Sequence, residues 1–261
     1  MLIYIIIIVM IGVISLWLYM YRMAHNDHLE KVTIFDENFP SSPERLNIFF
    51  ISDVHKRLIN QSVLLSLDQV DLTIIGGDLC EKNVPLRKVE QNILKLKELK
   101  APIFFVWGNN DIEVNAYKLV SLLSRHKVTI LADSSFVWTL KSGEKIQLAG
   151  LNSLYLRQVL TSRYFENIWE PDVSYTILAN HEPESYDLLN KEQKEQVNLV
   201  LSGHTHGGQI RFFGFGLRNK GGWKEVGHQH FLVSEGYGTS TLPLRLGTRA
   251  ECHCITIQSP T

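Results

Sequence analysis

Five short stretches of this chain carry residue types that bind metal ions. Asp53-Val54-His55, Gly76-Gly77-Asp78, Gly108-Asn109-Asn110-Asp111, Asn180-His181 and His204-Thr205-His206 each place a carboxylate, an amide or an imidazole directly after an apolar run. Asp53 and His55 stand two apart, as do His204 and His206. At a strand terminus each pair is therefore expected to project to one side and chelate one ion. Oxygen and nitrogen donors without thiolate suit manganese, iron or zinc better than calcium or magnesium alone. A carboxylate such as Asp78 can bridge two ions, and two ions roughly 4 Å apart can clamp the attacking and the leaving oxygen of a phosphoryl displacement. Singly, each residue has an ordinary reading, an aspartate capping a turn or a histidine satisfied in a core. The five stretches together point to a metal cage.

The apolar runs that must position these groups are Leu46–Ile51, Leu72–Ile75, Ile103–Trp107, Tyr175–Leu178 and Val197–Leu201, each continuous enough to be a strand buried on both faces. Between the first three runs, Val89, Ile93, Leu96 and Leu99, then Tyr117, Val120 and Leu123, recur at helical spacing. This alternation predicts a layered α/β domain with its ligands at the carboxyl ends of the strands, where open α/β sheets bind them. Phe136–Leu140 and Ile146–Leu151 predict a hairpin, Gln229–Val233 and His253–Ile257 a second strand pair, and Val32–Phe35 a short edge strand. Pro40, Ser41, Ser42 and Pro43 mark a loop. Residues 154–171 and the glycine-rich stretch 211–227 read as long loops of the kind that often carry function.

No side chain from Met1 to Tyr21 is charged, and the stretch is long enough to cross a hydrocarbon core of roughly 30 Å. It lacks the basic start and small-residue cleavage site of a secretory signal. Trp17, Tyr19 and Tyr21 suit an interfacial belt. The expected organisation is a transmembrane anchor over 1–21, a juxtamembrane segment holding the edge strand over 22–45, and a catalytic domain over 46–261. Arg22 and Lys31 after the apolar run place that domain on the cytoplasmic side of the cell membrane. With 26 basic and 27 acidic residues, a net charge of -1, no general field draws the chain to nucleic acid, and none is expected as a partner. Cys80, Cys252 and Cys254 are too few for a disulfide framework or a cysteine zinc site and read as small buried residues, Cys80 packing beneath the metal cage.

In their order along the chain, Asp53-Val54-His55, Gly77-Asp78, Gly108-Asn109-Asn110-Asp111, His181 and Gly203-His204-Thr205-His206 resemble the calcineurin-like metallophosphoesterase superfamily over nearly everything from residue 46 onward. More narrowly, His204-Thr205-His206-Gly207-Gly208-Gln209, Glu235-Gly236-Tyr237-Gly238-Thr239-Ser240 and Pro243-Leu244-Arg245 are similar to a membrane-associated bacterial branch of phosphodiesterases and UDP-2,3-diacylglucosamine pyrophosphatase-like enzymes. The resemblance implies a four-layer αββα sandwich. It implies one divalent ion held by Asp53, His55, Asp78 and His206, and a second by Asp78, Asn109, His181 and His204, with manganese favoured. It further implies a metal-bridging hydroxide that attacks phosphorus in line, and a phosphodiester or pyrophosphate substrate that is membrane-associated or lipid-linked.

One position departs from the pattern. Many relatives carry a histidine after the metal-binding asparagine, to contact the phosphoryl group and protonate the leaving oxygen, with the next acidic residue orienting it. Here those catalytic positions are Asn110 and Asp111. An amide donates a hydrogen bond but supplies no proton near neutral pH, whereas general acid catalysis contributes about 100-fold to 10,000-fold. Three readings follow: a leaving group that needs little protonation, another histidine such as His228 or His230 in its place, or a tethered regulatory protein that binds phosphate esters and turns over little. A nucleotide phosphodiesterase is a further alternative. Lys56 and Arg57 are read as contacts for phosphate or head groups, or as a solvated pair. The loop at Arg218, Lys220, Trp223 and Lys224 is read as a substrate or bilayer contact or plain surface. Arg245 is read as a partner for a fixed carboxylate or a substrate phosphate.

Overall fold

The computed structural model describes residues 1–41, 45–154 and 168–260. Ser42 and Pro43 of the first expected loop, and residues 155–167 of the second, lie outside them. Every apolar run that precedes a candidate ligand becomes a strand. In chain order the strands are β1 (Asp27–Phe35), β2 (Arg45–Ile51), β3 (Leu72–Ile75), β4 (Ile103–Val106), β5 (Thr129–Leu131), β6 (Ser134–Thr139), β7 (Lys145–Gly150), β8 (Tyr175–Ala179), β9 (Leu199–Ser202), β10 (Gly222–Val226), β11 (Gln229–Val233) and β12 (Ala250–Gln258). They form two six-stranded sheets, ordered β1-β12-β2-β3-β4-β5 and β10-β11-β9-β8-β7-β6.

The runs are apolar at every position because both faces of each strand are covered. On β2, Ile48 and Phe50 join Ile177, Leu199 and Leu232 of the other sheet in the core between the sheets. Phe49 and Ile51, pointing the opposite way, pack with Val89, Ile93, Leu96, Leu119 and Leu123. The first four helices are α1 (Leu2–His25), α2 (Gln61–Leu65), α3 (Leu86–Lys97) and α4 (Ala116–Arg125), and those residues belong to α3 and α4, which cover the outer face of the first sheet. Each such side chain contributes about 1.5–3 kcal/mol on burial. A smaller core of Ala149, Leu178, Leu189, Val197 and Val200 lies outside the second sheet, beneath short helical turns at Pro183–Leu188 and Lys191–Glu195. The expected sandwich is therefore present, with one helical layer full and the other reduced to short turns.

Three details differ from the sequence reading. On α4 the inward face is Leu119, Leu122 and Leu123, while Tyr117 is exposed. The expected pair Gln229–Val233 and His253–Ile257 is split between the sheets: β11 pairs with β9 and β10, and β12 with β1 and β2. The glycine-rich loop 211–227 ends in a strand, β10, whose Trp223 donates through Nε1 to Glu30 and packs on the core between the sheets. Trp223 is thus part of the frame, not a loop contact.

The segment expected to lie between an anchor and the catalytic domain is more ordered than the sequence reading has it. β1 runs parallel to β12 along its whole length, from Asp27 opposite Ala250 to Phe35 opposite Gln258. Residues 27–35 are therefore integral to the first sheet. The apolar helix α1 (Leu2–His25) ends immediately before them, and only its last turns, at Met20 and Ala24, are buried. It is long and apolar enough to cross a membrane, with none of its most apolar 18-residue window buried against the domain.

Candidate metal centre

β2, β3 and β4 run parallel in one sheet, and β8 and β9 in the other, so five carboxyl ends meet at one edge of the sandwich. The ligands do not reach this point by the pleat of an extended strand. Asp53, His55, Asp78, His204 and His206 all lie beyond the strand ends with φ between 50° and 69°, in the left-handed region. Non-glycine residues there cost about 1–3 kcal/mol each and persist where surrounding structure enforces them, commonly at functional sites. Two glycines make the close approach possible. A Cβ on Gly77, at φ +84°, would stand 2.5 Å from His181 Nδ1, and one on Gly236, at φ +78°, would stand 2.7 Å from Asp53 Cβ.

The donor atoms form two adjoining groups. In the first, His55 Nε2 and His206 Nε2 face each other at 3.0 Å, and Asp53 Oδ1 lies 3.4 Å from His206 Nε2. In the second, His204 Nδ1 lies 2.9 Å from Asn109 Oδ1 and 3.3 Å from His181 Nε2. Asp78 Oδ2 stands between them, 3.3 Å from His181 Nε2 and 3.8 Å from His55 Nε2. Lone pairs directed at common points, in a buried pocket with two carboxylates, are an arrangement a cation completes. His206 Nδ1 is buried and has no hydrogen-bond partner among the described residues. The residues present thus fit divalent ions in chemistry and convergence.

Outer groups orient the imidazoles. His181 Nδ1 lies 2.9 Å from the Gly76 carbonyl, to which it donates, leaving Nε2 free to ligate. Glu81 Oε2 sits 3.0 Å from His55 Nδ1 as an ion-pair partner, and the Glu81 carboxylate also meets Lys56 Nζ at 2.5 Å. Glu81 has no sequence signal beyond its closeness to Asp78, and Lys56 pairs with it. Glu182 joins His181 and His204 in a third group able to hold a cation, although its carboxylate accepts from Ser153 Oγ and the Leu154 N–H.

Protonation follows from burial and neighbours. Burial pushes His206 down to about 3 and, with the nearby His181, lowers His204, so both present neutral rings. Burial would raise Asp53 and Asp78, but the surrounding histidines outweigh it and hold both carboxyls below the usual range. Burial, reinforced by Asp78, pushes Asp111 up to about 7.

The structure places the two positions after Asn109 differently from expectation. Asn110 Nδ2 donates to Asp78 Oδ2 at 2.5 Å and its backbone N–H to Asp78 Oδ1 at 2.8 Å. Asp111 does not orient the Asn110 amide. It is fully buried and accepts from the backbone N–H groups of Cys80 and Gly108 at 3.0 Å, tying the β3 and β4 loops together. Cys80 lies buried beneath the site, as expected. His230 pairs with Leu199 at the opposite end of β9 and neighbours Asp36 and Glu225, while His228 lines a separate cavity with Asn38 and Glu170. Neither reaches the position of the absent histidine.

Arg245 meets neither a carboxylate nor the cavity. It is fully buried, and Nη2 donates to the carbonyls of Glu235, Gly236 and Gly238 at 2.6–2.8 Å, while Nη1 reaches the His206 carbonyl at 3.4 Å. The loop it holds donates from Gly238 N to Asp53 O and from Tyr237 N to Ser52 O, fixing the turn that presents Asp53. Arg57 also braces this loop, pairing with Asp27 and donating to the carbonyls of Tyr237 and Ala24. Outside the donor groups opens a cavity of about 900 Å³, lined by Asn109, Asn110, His204 and His206 on one side and by Phe212, Phe215 and Leu242 on the other.

The calcineurin-like phosphoesterase family model matches residues 46–208. The chain is 41% identical over 244 residues to the uncharacterized protein YpbG of Bacillus subtilis (strain 168), with 92% of each chain covered. It is 30% identical over 214 residues to the uncharacterized metallophosphoesterase YkuE of the same organism, covering 76% of this chain and 72% of that one. It is 27% identical over 233 residues to phosphodiesterase YaeI of Escherichia coli (strain K12), covering 82% of each.

Proposed function

The chain belongs to the calcineurin-like phosphoesterase family, and on that premise we propose that it hydrolyses phosphodiester or pyrophosphate bonds with two divalent ions, manganese favoured, at a membrane surface. The observation that carries this reading is the position of Asp78 Oδ2 between two groups of nitrogen and oxygen donors drawn from five strand ends. Asp53, His55, Asp78 and His206 would hold one ion, and Asp78, Asn109, His181 and His204 the other. Bound there, such ions supply Lewis acidity, acidifying water and drawing charge from phosphoryl oxygens. The protein's own part is to hold these donors, through Glu81 and Gly76 behind the imidazoles and Arg245 behind the Asp53 turn. Asn110 donates one Nδ2 hydrogen to Asp78 and keeps the second for a phosphoryl oxygen.

Among the described residues lining the cavity, the imidazoles are His204 and His206, both assigned to ions. With no spare proton donor there, the reading favours leaving groups that depart without protonation, as a phosphate or an acidic alcohol does. The name of the Escherichia coli relative, a phosphodiesterase, supports the same choice. The test is metal analysis of the full chain in detergent, with hydrolysis of bis(4-nitrophenyl) phosphate and a pyrophosphate diester in manganese. Asp78→Asn is expected to lose both ions and activity, by more than the ~10–100-fold typical of an outer-shell change. Bound ions without turnover of either substrate would instead identify a tethered phosphate-ester-binding protein.

A further inference from the structure

Beside the metal centre the chain makes a turn whose composition is unlike the rest of the surface. Phe212 and Phe215 exchange backbone hydrogen bonds of 2.9 Å, and at the tip Phe213 and Leu217 are fully exposed. Phe212, Phe215 and Leu217, with Ile210 and Leu242, form an apolar rim around the cavity opening, and Phe213 projects from the tip of the same turn. Single exposed apolar residues are ordinary; a contiguous set of this size, at the mouth of a polar site, marks a contact surface.

The rim is tied to α1. Arg245 N donates to Met20 O at 3.0 Å, Arg211 N to Leu246 O at 2.7 Å, and Gln209 Nε2 to Leu242 O at 2.9 Å. Residues 242–246 therefore run from the end of the apolar helix to the edge of the cavity. From Leu2 to Tyr19 the helix measures about 27 Å, close to the ~30 Å of a hydrocarbon core. A bilayer crossed by that stretch ends near Met20, at the level of the rim. Between Thr205 and Lys224 the chain has no acidic residue but carries Arg211, Arg218, Lys220 and Lys224. Arg211 is spent on the carbonyls of Gly207, Gly214 and Arg218, shaping the turn. Arg218 and Lys220 are exposed beside the apolar tip, the combination that seats in an anionic lipid surface.

We propose that the Phe212–Leu217 turn, with Leu242, inserts into the bilayer that α1 spans and admits to the metal centre the phosphoester of an amphiphile whose acyl chains stay in that layer. This rests on the hydrolase reading for the substrate and on α1 as a span for the location. The experiment uses the full chain in anionic phospholipid vesicles, with a polarity-sensitive dye on Phe213→Cys and the equally treated parent chain as background. Quenching by brominated acyl chains is expected; quenching by aqueous iodide alone, or a dye shielded by a soluble protein partner, overturns the insertion. In the same vesicles Phe213→Ser is expected to leave turnover of bis(4-nitrophenyl) phosphate unchanged and lower that of a long-chain phosphodiester roughly tenfold. Equal loss on both substrates, or none on either, overturns the admission role. A parent chain that turns over neither substrate overturns the hydrolase reading and the substrate half of this proposal, while the dye still decides where the turn lies.

Discussion

Asn110 stands where a proton donor would be most useful, and its amide is turned onto Asp78. An imidazole there would regain a proton that the amide lacks. Asn110→His is expected to raise turnover of an alkyl phosphodiester at least ~10-fold more than that of an activated aryl diester, measured in manganese on both. Equal gains would remove proton donation as the reason. Arg245 tests the frame behind the cage. Its guanidinium, lowered to about 10 by burial, satisfies several buried carbonyls at once. Lysine has three donors on one atom and cannot span them. Arg245→Lys is expected to destabilise by ~3 kcal/mol or more and to weaken metal binding; thermal unfolding and metal titration read the two.

The elements that bring these residues together are held at their margin by a buried polar cluster. His253 of β12 lies between Glu30 of β1 at 2.9 Å, Ser234 Oγ at 3.0 Å and Glu251 at 3.4 Å. Burial opposes charge on His253, but bonds to Glu251 and Glu30 outweigh it and raise the imidazole above its usual value. The hydrogen bond to His253 lowers Glu30; on Glu251 burial acts upward and His253 overcomes it. A raised imidazole stabilises the fold fully below its unfolded value of about 6.5, and that stabilisation disappears as pH rises through the higher folded value. The lowered carboxyls contribute above about 4.3 and lose their share as pH falls through their folded values. His253→Gln is therefore expected to cost ~1–2 kcal/mol near pH 6 and less near pH 9. A gap in melting temperature that does not narrow between those conditions would show that the pairing is not ionic.

For the molecule as a whole, the decisive junction is between α1 and β1. A soluble fragment starting at Asn26 keeps the complete edge strand and is expected to fold and bind metal. One starting at Arg45 lacks β1, exposes the backbone edge of β12 and the part of the apolar core that Val32 and Ile34 cover, and is expected to aggregate. A cut near residue 30 divides the strand. Size-exclusion chromatography of the three fragments separates these outcomes. The same junction sets the height of the domain on the helix, because Arg57 and Arg245 bond carbonyls of its last turns.

Residue order along the chain is enough to single out the candidate metal ligands that the fold brings together, since each follows an apolar run and ion-binding chemistry leaves few substitutes for aspartate, asparagine and histidine. Continuous apolar runs reveal two-sided strands for the same reason: Phe49 and Phe50 point to opposite cores and neither can be polar. What sequence alone left open depends on contacts between distant segments. Arg245, Glu81 and Arg57 take their roles from partners on other loops or at the helix end, and nothing in their own neighbourhoods names those partners. The left-handed turns at Asp53, His55 and Asp78 are likewise enforced by packing, because local propensity opposes them. The apolar rim appears only when residues 210–217 and 242 are brought to the mouth of the cage. Tertiary structure alone places it there, beside the end of the one helix long and apolar enough to cross a membrane among the described residues.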